Sequence, residues 1–137
     1  TTIGAASLVF GGVMERHPNL KICLSHAGGY LPYQMGRFRH GWNVRDESKK
    51  HLKVSPEASI RRFYFDTITH FDSSLQFLIN TYTPDHVLMG SDYPFDMGTF
   101  DCPAIIKRQP ISAMDKETIL HRSAENLLKP ARKGGKA

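Results

Sequence analysis

Apolar positions along the chain alternate between two rhythms. Ile3, Ala6, Phe10, Val13 and Met14 recur at the spacing of one helical face, and Pro18 stops that pattern after Arg16-His17. Leu20-Lys21-Ile22-Cys23-Leu24-Ser25 is instead a short, mostly apolar run of strand formers closed by Gly28-Gly29. The alternation then repeats: a helix over residues 31–44, a polar loop over 46–50, a strand over 62–67 and a helix over 73–81. His86-Val87-Leu88-Met89-Gly90-Ser91 is a third strand that closes on Asp92. A loop containing Pro94, Gly98 and Pro103 follows, and two short helices fit residues 114–120 and 123–128.

Strands alternating with helices, each strand a nearly continuous apolar run, predict parallel βαβ units with about three strands and flanking helices, an α/β fold. Chemistry in such folds collects at the carboxyl ends of the strands. His26, the segment Thr67-Ile68-Thr69-His70, and Asp92 all fall at that rim. His86 begins a strand and belongs at the opposite end. Three strands do not close a (β/α)8 barrel, which typically takes about 250 residues. The chain is therefore either a small open three-layer domain or the last part of a barrel. It opens on Thr1 inside a helical pattern, which points to a missing beginning.

Composition adds limits. With 137 residues, 40% of them hydrophobic and 23% charged, the chain has the balance of one globular domain. Part of the net charge of +5 sits in a basic, flexible tail over residues 129–137, leaving residues 1–128 for the folded part. No basic stripe is interleaved with exposed aromatics, so no nucleic-acid partner is expected. No apolar run of about 18 residues occurs, so neither is a membrane span. Cys23 and Cys102 form no CxxC and no disulfide framework; Cys23, inside an apolar run, is expected to be a buried free thiol, and a cytoplasmic location fits.

Two strand ends carry the chemistry. In Ser25-His26-Ala27-Gly28-Gly29 an imidazole follows a buried strand, and the glycines permit close backbone approach to a ligand. Such a histidine is either a base or metal ligand, or one satisfied by a backbone carbonyl. In Gly90-Ser91-Asp92-Tyr93-Pro94-Phe95 a carboxylate ends a buried strand, which is costly unless it is partnered. A cation is one partner; capping the next turn or pairing with an arginine are the others.

Taken together, Leu24-Ser25-His26-Ala27-Gly28-Gly29-Tyr30-Leu31-Pro32-Tyr33-Gln34-Met35-Gly36-Arg37 and Gly90-Ser91-Asp92-Tyr93-Pro94-Phe95 resemble the amidohydrolase superfamily. The resemblance is to the branch of 2-amino-3-carboxymuconate 6-semialdehyde decarboxylase and related decarboxylases. Tyr64-Phe65-Asp66-Thr67 also looks like a strand of that branch, and the likeness runs from Thr1 to about Leu128. It implies the C-terminal part of a TIM-like (β/α)8 barrel holding one divalent metal, usually zinc, and acting on a small carboxylic acid. By the same resemblance Asp92 matches the carboxylate ligand at the last strand. His26 matches the catalytic histidine that polarises or deprotonates water at the metal. Arg37 matches an arginine that holds a substrate carboxylate, in some members across a homodimer interface. Phe95 matches an aromatic of the pocket wall. On its own pattern Arg37 reads equally as a solvated helix residue, and Phe95 as ordinary packing.

The remaining ligands of such a site come from a His-x-His on the first strand and a histidine in mid-barrel. No His-x-His occurs here, and none of His17, His40, His51, His70, His86 and His121 has a spacing that replaces it, although His70 could approach the rim. One carboxylate falls short of the about three protein ligands a catalytic metal needs. The chain is accordingly expected to be a C-terminal fragment, inactive alone. The expected activity of the intact protein is metal-dependent, non-oxidative decarboxylation of an unsaturated or aromatic carboxylic acid. A hydrolase or hydratase on the same scaffold, and a non-catalytic barrel-derived oligomerisation module, are the alternatives.

Overall fold

Three short parallel strands carry the fold: β1 (Cys23–Leu24), β2 (Tyr64–Asp66) and β3 (Val87–Leu88), hydrogen-bonded in the order β1-β2-β3. Leu24 lies opposite Phe65, and Phe65 opposite Val87. The computed structural model describes residues 1–129; the expected basic tail lies outside the described residues apart from Lys129.

Eight helices accompany the strands among these residues. They are α1 (Thr2–Phe10), α2 (Val13–Arg16), α3 (Leu31–Val44), α4 (Pro56–Ile60), α5 (Asp72–Tyr82), α6 (Cys102–Lys107), α7 (Ala113–Glu117) and α8 (Ser123–Leu128). Each strand is followed by helix, and every strand pairing is parallel, as the hydrophobic pattern predicts. Because side chains alternate across a strand, the row Leu24, Phe65, Val87 points to one face, and all three residues are buried. That row joins Val9, Met14, Leu31, Ile60, Leu75, Leu78, Ile106 and Ile119 in one core. Phe65 is its centre, with its ring centroid 4.3 Å from that of Tyr82 on α5.

Burial on this core is worth roughly 1.5–3 kcal/mol for each large apolar side chain. The opposite row is more open. Tyr64 and Leu88 are half-buried and Cys23 is exposed, which corrects the expectation of a buried thiol: Cys23 points to the face the helices leave uncovered.

The predicted first helix divides in two. Gly12 adopts φ 69°, and a Cβ there would lie 2.3 Å from the His51 carbonyl oxygen, so the chain turns where only glycine fits. The buried residues of this stretch are Ala5, Val9 and Met14, while Ile3, expected on the buried face, is 84% exposed. The small Ala5 lets α1 pack on α3 and α4. Helices α4 and α6 were not expected. Each carries proline in its first turn, where the missing N–H would have had no partner. The two predicted C-terminal helices run together through a π-type turn at Thr118–Arg122, whose Ile119 carbonyl accepts from the Met89 N–H at 3.1 Å and so tethers the chain beyond β3. Among the described residues no helix is long and apolar enough to cross a membrane.

Candidate active site

At the carboxyl end of β1 the chain turns at Ser25 into a single helical turn, His26–Gly28. His26 and Ala27 take φ 56° and 51°, a region that non-glycine residues rarely occupy. Gly28 and Gly29 continue it at φ 76° and 61°. The next helix is tied in from its start: the Tyr30 N–H donates to Thr2 Oγ1 at 2.8 Å.

Beyond β3 the backbone passes Gly90, where a Cβ would meet that of Asp66 at 2.9 Å, and reaches Asp92 at φ 59°. The loop then folds on itself. Phe95 N–H donates to the Asp92 carbonyl at 2.9 Å, and Thr99 N–H to the Ser91 carbonyl at 2.8 Å. Its far end is anchored by Arg108, which grips Asp72 at the start of α5 through three hydrogen bonds of 2.8–3.0 Å. Those bonds hold the Asp72 carboxyl below the usual carboxylate range.

These two segments converge. His26 Nε2 lies 3.3 Å from Asp92 Oδ1, with the histidine side chain 53% exposed and the carboxylate 15%. Both line a cavity of about 400 Å³ that Ile68, His70, Phe95, Asp96 and Met97 complete. A second cavity of about 600 Å³ shares His26 and Ile68 with the first and is walled mainly by Tyr30, Tyr33, Phe77 and Leu78. His26 thus lines both a carboxylate-bearing cavity and an apolar, aromatic one. Strained non-glycine backbone at His26, Ala27, His70 and Asp92 is concentrated at this rim, the pattern of a site held by its surroundings.

Of the residues singled out in the sequence, His26, Asp92 and Phe95 come together, and His70 reaches the same cavity. His86 lies at the opposite end of the sheet, its Nδ1 2.8 Å from the Phe63 carbonyl oxygen. Arg37 is exposed on α3 and lines neither cavity, and its side chain has no hydrogen bond or ion pair among the described residues. Two site residues escaped the sequence reading. Asp96 is an exposed loop residue with no signal of its own. Asp66 ends a buried strand just as Asp92 does, so the same cost of an unpartnered carboxylate would have found it.

The implied divalent metal fits these residues only in part. Asp92 Oδ1 faces His26, and Oδ2 accepts no hydrogen bond among the described residues, so one carboxylate donor is at hand. Among the described residues, however, no three His, Cys, Asp or Glu side chains are grouped to hold an ion. The chain offers one donor and not a set.

A parallel α/β layer with its polar groups at the strand ends is common to open doubly wound sheets and to portions of a TIM-type barrel. The chain belongs to the amidohydrolase family, whose model matches residues 1–129. It is 35% identical over 130 residues to 2-amino-3-carboxymuconate-6-semialdehyde decarboxylase of Caenorhabditis elegans, covering 93% of this chain and 32% of that protein. The decarboxylase of the same name from Dictyostelium discoideum is also 35% identical, with 93% and 36% covered. Among solved structures, dihydroxybenzoic acid decarboxylase from Polaromonas, with bound manganese and the inhibitor 2-nitroresorcinol, superposes with a TM-score of 0.80 at 27% identity. That match covers 92% of this chain and 39% of the Polaromonas chain. The chain therefore spans about a third of the length of these curated relatives.

Proposed function

We propose that this chain supplies the proton-handling and carboxylate part of a metal-dependent, non-oxidative decarboxylase acting on a small aromatic or unsaturated carboxylic acid. The observation that carries the reading is the approach of His26 Nε2 to Asp92 Oδ1 across the ends of β1 and β3, beside an aromatic-walled cavity. The decarboxylases among its relatives support the reaction class.

His26 acts as acid and base. When its ring carries a proton at Nε2, Asp92 Oδ1 accepts from it and orients the donor. In decarboxylation the bond to the carboxyl carbon breaks, its electron pair stays on the substrate carbon, CO₂ leaves, and that carbon takes the proton from His26. Phe95 forms part of the apolar wall beside the reacting groups. When bound at Asp92, a divalent cation would stabilise negative charge developing on the substrate. Manganese is bound in the Polaromonas relative, and zinc is the ion the family resemblance implies; either accepts a carboxylate ligand.

Arg37, exposed and without a side-chain partner among the described residues, suits a planar substrate carboxylate in a neighbouring subunit's site, and we assign the protein to homodimers on that basis. Cys23 and Cys102 are both free, which suits the reducing cytoplasm.

The test is CO₂ release by the complete protein from 2-amino-3-carboxymuconate 6-semialdehyde and from 2,6-dihydroxybenzoate, with metal content measured on the same sample. Turnover together with stoichiometric metal is expected. Absence of both would sink the reading. The 137-residue chain alone is expected to show neither, and tight stoichiometric metal with turnover in it would overturn its assignment as a part.

A further inference from the structure

We propose that Asp66 is the positioning residue that holds His26 against Asp92; the inference rests on the reading of His26 as the proton carrier. Asp66 is the last residue of β2, the strand between the two that bear the site. Its Oδ2 accepts from the main-chain N–H of His26 at 2.9 Å. Its Oδ1 accepts from the N–H groups of Ala27 at 2.8 Å and Ile68 at 3.0 Å.

The left-handed conformation of His26 and Ala27 is what turns two successive N–H groups toward one point, making a concave anion site of the main chain. The anion in it is the Asp66 carboxylate. That charge rewards the unfavourable backbone at His26 and Ala27 and gives the imidazole a fixed origin.

The next residue acts on the other side. Thr67 Oγ1 accepts from the Gly90 N–H at 3.2 Å, two residues before Asp92. Gly90 lies so close over Asp66 that a Cβ there would approach the Asp66 Cβ to 2.9 Å. Asp66 at the end of β2 and Thr67 just beyond it thus grip the segment bearing His26 and the segment bearing Asp92. The 3.3 Å separation between imidazole and carboxylate is set through this bracket. Asp66 lines neither cavity, so its effect on chemistry passes through His26.

The experiment uses the complete protein with histidine-selective ¹⁵N labelling, the His26 ring signals being identified by their loss in His26→Asn. Asp66→Asn keeps the shape but replaces one acceptor oxygen with an NH₂ group, so a main-chain donor meets another donor. The expected result is a fall in kcat of about 10- to 100-fold, the cost of a misplaced catalytic group or a lost supporting partner. KM and metal content stay unchanged, and the His26 ring signals shift or broaden. Asp66→Glu, which retains a carboxylate, is expected to recover part of the lost kcat.

Unchanged kcat, or a kcat loss matched by metal loss, or one with undisturbed His26 signals, would overturn the proposal. So would failure of both variants to fold, which would make Asp66 a residue of the fold alone. If the wild-type protein releases no CO₂ from any acid, the decarboxylase reading fails by itself, and the His26 ring signals still decide what Asp66 does.

Discussion

Gly28 rests against the ring of Phe65 so closely that a methyl group on it would lie 2.8 Å from both Cδ1 and Cε1. The glycine two residues after His26 therefore seats the turn that bears His26 directly on the central side chain of the core. Its φ of 76° adds a second reason for glycine. Gly28→Ala must both strain the backbone and displace a fully buried ring, and a loss of about 2–4 kcal/mol is expected. Urea unfolding of the complete protein checks it, through a lower midpoint at unchanged slope.

His26→Asn removes the imidazole proposed as the proton carrier and leaves Asp92 in place. A fall in kcat of about 10²- to 10⁴-fold is expected, with metal content unaffected. Elemental analysis alongside kinetics reads both. Metal lost together with activity would move His26 into the ligand set.

Asp92→Asn has the reverse signature. The carboxamide is a poorer ligand for a divalent cation, and affinity should drop by more than about tenfold. Chelator competition measures this directly, and raising metal concentration should return some activity. Undiminished affinity would remove Asp92 from the ligands.

If Arg37 serves the neighbouring subunit's site, Arg37→Ala and His26→Asn chains should complement. Each mixed dimer contains one site with an intact histidine from one subunit and an intact arginine from the other. Unfolding and refolding the two variants together should restore activity well above either alone. No gain on mixing would confine Arg37 to its own subunit.

Glu57 ties α4 to α3. Its carboxylate accepts from Arg61 at 2.8 and 3.0 Å and from Arg39 at 3.0 Å. The Arg61 hydrogen bonds, and then the charges of both arginines, hold its carboxyl below the ordinary value of 4.5. A depressed folded-state value stabilises the protein fully above the unfolded value, and the effect is lost as pH falls through the folded one. Glu57→Gln should cost about 0.5–1 kcal/mol at pH 7 and progressively less below pH 4.5, as thermal melts across that range would show.

His26 and Asp92 were legible because each follows an apolar strand and stands two residues from a glycine, a local signal that needs no knowledge of the partner strand. Asp66 ends a strand in the same way, yet two of the amides it holds lie 39 and 40 residues back in the chain. Only the parallel pairing of β1 with β2 brings them to it. Helices α4 and α6, at five and six residues, are too short for the helical period to register, and Pro103 at the start of α6 read as loop punctuation. Ile3 failed for a different reason. Periodicity finds a face but not which side of it meets the core, and Ala5 and Val9 pack there instead.

The three strands with the longer helices between them, the parallel sheet and the rim carrying His26 and Asp92 were written in the sequence, since all follow from local hydrophobic period and turn chemistry. The meeting of His26 with Asp92, the carboxylate bracket beneath them, and the exclusion of Arg37 from both cavities were decided only in three dimensions. Those depend on the register of Phe65 between Leu24 and Val87, and register is a property of packed faces that no single stretch of chain contains.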